Sequence, residues 1–194
     1  MRILAIAILA GSVLHAAEVV HLRDEGADAF FPKSECCIVT TYQVNVSAGT
    51  MRIPSDEPAQ QQSTVALAIG RFDVCTGTQV MSAFGIAPVT SAEFQIAQDL
   101  STASLRVSLA LLDQSGHSVL TTISLTWTAT DSLTKGTNSF HTSAPGMRVN
   151  GRLHGRSRVA SASGQIVENG VTVLLDQSVF AQMRQSSSGT VIIN

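Results

Sequence analysis

Between Leu105 and Ala129 one parity is apolar twice over. Leu105, Val107, Leu109 and Leu111 come first, then Val119, Thr121, Ile123, Leu125, Trp127 and Ala129, with Asp113-Gln114-Ser115-Gly116 between them. Successive side chains of an extended chain point to opposite faces, so a spacing of two dries one face and wets the other. Two such runs joined by turn residues predict an antiparallel hairpin. Trp127, the chain's single tryptophan, has the parity of the apolar set, which places it in the core rather than on a ligand-stacking surface.

The same signature recurs along the chain. Ile38 to Val46 alternates, and Thr64 to Val74 resumes the pattern with Val65, Leu67 and Ile69. Phe72 and Val74 have the other parity, so a bulge is expected near Gly70. Further strands are expected at 137–143, 147–159 and 160–167, then Val171–Leu175 after the turn residues Asn169-Gly170, and last Thr190–Ile193. Residues 47–63 read as a long loop, and a short helix fits around Val80 to Phe84. Residues 18–35 read as a poorly structured lead-in. Many short strands with frequent turns predict an all-β fold, an antiparallel β-sandwich or flattened barrel, as a single domain over residues 36–194. Charged residues are 13% of the chain, about half the ~25% of ordinary soluble proteins. With 44% hydrophobic residues the chain has enough apolar material to fold rather than stay disordered.

The first 17 residues differ from the rest. Arg2 precedes an apolar run from Ile3 to Leu14, and His15-Ala16-Ala17 ends in small residues before the polar Glu18. This is the three-part pattern of a cleaved export signal, and the run is too short to span a bilayer. Cleavage near Ala16 or Ala17 would deliver a secreted or periplasmic protein. An oxidising compartment permits a disulfide among Cys36, Cys37 and Cys75. Adjacent strand residues face opposite ways, so only one of Cys36 and Cys37 can pair with Cys75. No His or second Cys pair stands at metal-ligand spacing, and no cofactor motif is present.

Residues 18–100 carry ten acidic and four basic groups, and residues 101–194 carry four and seven. The basic excess concentrates in Met147–Val159, read M-R-V-N-G-R-L-H-G-R-S-R-V. On one strand, Arg148, Asn150, Arg152, His154, Arg156 and Arg158 would share a face. Guanidinium forks match carboxylate, sulfate and phosphate groups, so this face is a candidate site for an anionic glycan or polymer. The alternative is an ordinary solvated face paired with neighbouring strands. Aromatic interleaving is absent, which argues against nucleic acid as a specific partner. Catalytic signatures are missing: no G-x-S-x-G elbow, no H-E-x-x-H and no P-loop. A hydrolase would have to use Ser with His141 or His154 and Asp131, or carboxylates such as Glu93 with Asp99 or Asp73 with Asp113, and spacing selects none of them. The chain therefore reads as a non-enzymatic exported module, with a secreted hydrolase of unrecognised type as the alternative.

Several segments carry a resemblance. Phe72-Asp73-Val74-Cys75-Thr76, Leu125-Thr126-Trp127-Thr128, Ser139-Phe140-His141 with Ala144-Pro145-Gly146, and Arg158-Val159-Ala160-Ser161-Ala162-Ser163-Gly164 resemble a family of uncharacterised secreted bacterial proteins. The resemblance covers roughly residues 65–194. Where that family commonly has an aromatic or apolar residue after Phe-His, Thr142 stands here. It implies export and an all-β fold, and brings no activity or cofactor with it.

Overall fold

The computed structural model describes residues 18–52, 60–144 and 147–193. The proposed export signal, residues 1–17, lies outside them. Among the described residues eleven strands make one antiparallel sheet: β1 (Glu18–Glu35), β2 (Ile38–Arg52), β3 (Gln60–Asp73), β4 (Thr78–Pro88), β5 (Phe94–Ile96), β6 (Thr102–Asp113), β7 (Ser118–Ala129), β8 (Thr134–Ala144), β9 (Met147–Glu168), β10 (Val171–Leu175) and β11 (Phe180–Ile193). Pairing runs β9–β11–β1–β2–β3–β4–β6–β7 and returns from β7 to β9, closing an eight-strand ring. The expected all-β class holds, in the flattened-barrel form. Among the described residues no helix is long and apolar enough to cross a membrane.

The ring closes because β9 is long. Its second half pairs with β7 and β10, and its first half with β8 and β11. The weakest seam joins β4 to β6 through only Ala83↔Asp113 and Phe84↔Leu112. One parity of each strand fills the interior: Ala27, Ala29 and Phe31 on β1, Tyr42, Val44 and Val46 on β2, Val65, Leu67 and Ile69 on β3, and Leu105 to Leu111 on β6. On β7 the buried set is Thr121, Ile123, Leu125 and Trp127, and on β9 it is Ala160, Ala162 and Ile166. The outward positions are mostly Ser, Thr, Gln and small residues. The barrel is therefore packed with side chains and is not a pore.

Its two ends are closed differently. At one end Arg71 on β3 and Glu168 on β9 form an ion pair of 2.9 Å. These strands stand four places apart on the ring, so the pair spans the barrel mouth. The Cys37–Cys75 disulfide joins the β1–β2 and β3–β4 turns at the same end. At the other end the segment between β4 and β6 folds inward, with Val89, Phe94 and Leu100 buried. Leu100 takes a left-handed backbone, φ 57°, to point its side chain into the barrel.

Several expectations are corrected. Residues 18–35 are a full strand, not a lead-in, because β1 is held on one edge by β2 and on the other by β11. Its interior face includes two alanines and its outer face carries Asp24 and Asp28, so the alternation is faint in the sequence. The segment Val80–Phe84 is strand, not helix; β3 supplies its hydrogen bonds, and Val80 and Phe84 face outward. The register shift lies at Arg71/Phe72, just beyond Gly70, and leaves Phe72 and Val74 exposed. The two strands expected at 147–159 and 160–167 are one 22-residue strand. Of the 47–63 segment expected as loop, β2 continues to Arg52 and β3 begins at Gln60, and residues 53–59 lie outside the described ones.

The turns follow their chemistry. Asn169 and Gly170 both have positive φ, 50° and 79°, the combination a two-residue hairpin needs. Asp113 Oδ1 accepts the Ser115 and His117 amides, each at 2.8 Å. Asp73 does the same for Cys75 and Thr76. These backbone hydrogen bonds hold both carboxyls below the usual value of 3.8. Glu93 is lowered likewise by Thr90, and Asp99 by Ser101. Carboxylates depressed in the folded state stabilise it above their unfolded pKa, and that contribution is lost as pH falls through the folded values. Asp28 acts oppositely, since burial raises it. With four groups against one, the melting temperature should hold steady down to the ordinary carboxylate range and fall below it. A thermal-melt series across acid pH checks this, and a melting temperature that rises below that range would refute it.

Candidate functional site

The interior parity of β9 is even: Ala160, Ala162 and Ile166 are buried. The strand continues without a register break, so Arg158, Arg156, His154, Arg152, Asn150 and Arg148 lie on the side that lines the barrel. They sit where β8, β9, β11, β1 and β2 run on past the closed ring as an open sheet. Pairing registers define transverse rows on that face. Arg158 heads the last core row, beside Met183, Ala27 and Val46. The next row is Lys135, Arg156, Gln185, Glu25 and Ala48. Beyond it come Thr137, His154, Ser187, Arg23 and Thr50, and then Ser139, Arg152, Gly189, His21 and Arg52. Rows lie about 6.6 Å apart and strands about 4.8 Å apart.

The inner rows are held in place by polar contacts. Arg156 donates to the Gln98 carbonyl at 3.1 Å and to the Gln185 side-chain oxygen. The Gln185 amide reaches Glu25 at 3.3 Å, and Glu25 lies 3.8 Å from Arg23. The Arg158 Nε is buried and, among the described residues, has no hydrogen-bond partner. Arg23, Gln98, His154, Arg156, Gln185 and Ser187 line a cleft of about 360 Å³. The loop carrying Gln98 and Asp99 closes one side of it, and the sheet stays open toward Arg152 and Arg148, both exposed. Glu25 is the carboxylate that β1 brings to these rows. The face is therefore strongly cationic and interleaved with hydroxyl and amide groups, a surface suited to oxyanions.

All five β9 residues expected at the site thus share one face. Arg23, Glu25, His21, Arg52, Gln98, Lys135 and Gln185 were not anticipated. The alternation of His21, Arg23, Glu25, Ala27, Ala29 and Phe31 was the signal that could have found the β1 members. The disulfide falls to Cys37 and Cys75, with a Cα separation of 5.4 Å, and Cys36 is free and exposed.

The groups considered for hydrolysis are not assembled into a catalytic set. His141 Nδ1 contacts the Asn150 side-chain oxygen and His154 Nδ1 contacts Thr137 Oγ1 at 3.1 Å, so among the described residues neither Nδ1 is paired with a carboxylate. Asp131 accepts the Ser132 amide. Glu93, Asp99, Asp73 and Asp113 each cap their own turn.

No protein-family profile matches the chain, and no curated protein matches it. Among solved structures, the crystal structure of "a putative AttH" from Nitrosomonas europaea matches over 87% of this chain and 51% of that one, at 13% identity and a TM-score of 0.38. The chain thus spans about half the length of that protein, and a likeness of this size identifies neither family nor ligand.

Proposed function

We propose that this is an exported, non-enzymatic β-barrel module that binds an anionic polymer, an acidic glycan in the first instance, on the open sheet built around β9. One observation carries the reading: Arg148, Arg152, His154, Arg156 and Arg158 continue the barrel's interior side and are joined there by Arg23, Arg52 and Lys135, with Glu25 as the carboxylate set among them. Rows of cations at about 6.6 Å suit an extended chain of charged groups better than one small ion. Ser, Thr, Asn and Gln between the cations suit hydroxylated sugars, and the absence of Phe, Tyr and Trp from these rows disfavours stacked bases. Export is supported by the leader pattern of residues 1–17 and by a disulfide, which persists in oxidising compartments. The resemblance to secreted bacterial proteins points the same way.

The test is retention on immobilised heparin in low and high salt. The wild type should be held at low salt and released at high salt, because charge-driven contacts are screened. Arg152→Ala/Arg156→Ala should weaken binding by about tenfold or more, two charge-assisted contacts being removed. Equal retention of the wild type and the double variant would remove the proposal.

A further inference from the structure

The cationic face also gathers histidines. His21, His141 and His154 all have its parity, and of the described histidines only His117 lies elsewhere, in the β6–β7 turn. His154 is the one that lines the cleft, together with Arg23 and Arg156. Resting on the binding reading above, we infer that anion capture in this cleft is coupled to proton uptake by His154, so that the module holds its ligand more tightly in mildly acidic surroundings.

The surroundings of His154 fit that role. On its own strand it stands between Arg152 and Arg156, two residues away on either side. From β8, Thr137 pairs with it directly and Lys135 and His141 flank that position. From β11 it faces Ser187, with neutral Gln185 and Gly189 on either side. From β1 come Arg23, Glu25 and His21. The overlying loop contributes the Gln98 carbonyl and Asp99. Cations therefore surround the ring on three elements, and Glu25 is already engaged by Gln185 and Arg23. An added anion in the cleft supplies the opposite charge that favours the imidazolium, and by linkage protonation must favour the anion equally. The Thr137 hydroxyl accommodates both states, since it can donate to a bare Nδ1 or accept from a protonated one. No rearrangement of the strand is needed for the charge to change.

The experiment measures affinity for a sulfated heparin oligosaccharide, whose sulfate esters stay ionised throughout, at about pH 7.5 and about pH 5.5, either side of the ordinary histidine range. The wild type should bind about fivefold tighter at the lower pH, the gain expected from one added charge beside an anion at a wetted surface. His154→Gln should lose most of that gain, read as the ratio of its own affinities at the two pH values, while His117→Gln keeps it. Calorimetry in two buffers of different ionisation enthalpy should show protons taken up by the wild type and fewer by His154→Gln. Binding that is equally tight at both pH values, or a His154→Gln variant with the full gain, overturns the coupling and leaves the polymer-binding proposal standing. Absence of salt-sensitive binding at either pH overturns both.

Discussion

Trp127→Ala should cost about 3–5 kcal/mol of unfolding free energy and lower the melting temperature by roughly 10–15 °C. The indole is fully buried, and its Nε1 donates to the Asp28 carbonyl at 2.9 Å, tying β7 to β1 across the interior. Its ladder neighbours are Ala103 on β6 and Ala162 on β9. Further alanines, at 27, 29, 160 and 181, are buried in the same core. One large ring is therefore set between two small ladder neighbours, and its removal opens a cavity in the core. Trp127→Phe should recover part of the loss, since it keeps an aromatic filler but leaves the Asp28 carbonyl without its donor, at about 1 kcal/mol for that bond. Chemical denaturation of the three proteins separates these outcomes. A Trp127→Ala variant within 1 kcal/mol of wild type would mean the indole is not the centre of the packing.

Loss of the Cys37–Cys75 disulfide should destabilise the protein by about 4 kcal/mol, the chain-entropy value for a loop of this size. The bond spans 38 residues and locks two turns at one barrel end, where the Val74 amide also donates to the Cys37 carbonyl at 2.8 Å. Cys37→Ser/Cys75→Ser, measured by denaturant midpoint, should show the full loss. Cys36→Ser should show almost none, because that residue is exposed and free. Reduction of the wild type should raise its intact mass by two hydrogens and bring its midpoint to that of the double variant. A stable double variant, or a peptide map linking Cys36 to Cys75, would overturn the assignment.

These two positions were legible to different degrees. Trp127 has the parity of four apolar neighbours on its strand, Val119, Ile123, Leu125 and Ala129, and that parity alone sends it inward. The cysteines were legible only as a choice, since sequence fixes that adjacent residues diverge but not which one turns toward Cys75. The structure decides it through the turn, where Cys36 takes φ 51° and leaves Cys37 directed at its partner.

The β9 stripe shows the same division. That Arg148, Arg152, Arg156 and Arg158 would share a face follows from their even spacing on one strand. Nothing local says whether that face looks out to solvent or continues the barrel's interior side, nor that Arg23 and Gln185 would be its neighbours, because those residues come from strands 131 and 29 positions away in the chain.

What the residues determine alone is therefore periodic and short-ranged: pleated chain, its dry parity, the Asn169-Gly170 and Asp113–Gly116 turns, and the grouping of cations along one strand. Steric alternation and turn chemistry act over two to four residues, so they are written where they act. Closure of the ring, the strand character of residues 18–35, and the side on which the arginines stand were settled by pairing between distant segments. Hydrogen bonds across a sheet reward any partner of matching length and pattern, and only the whole set of strands competing for edges selects among them.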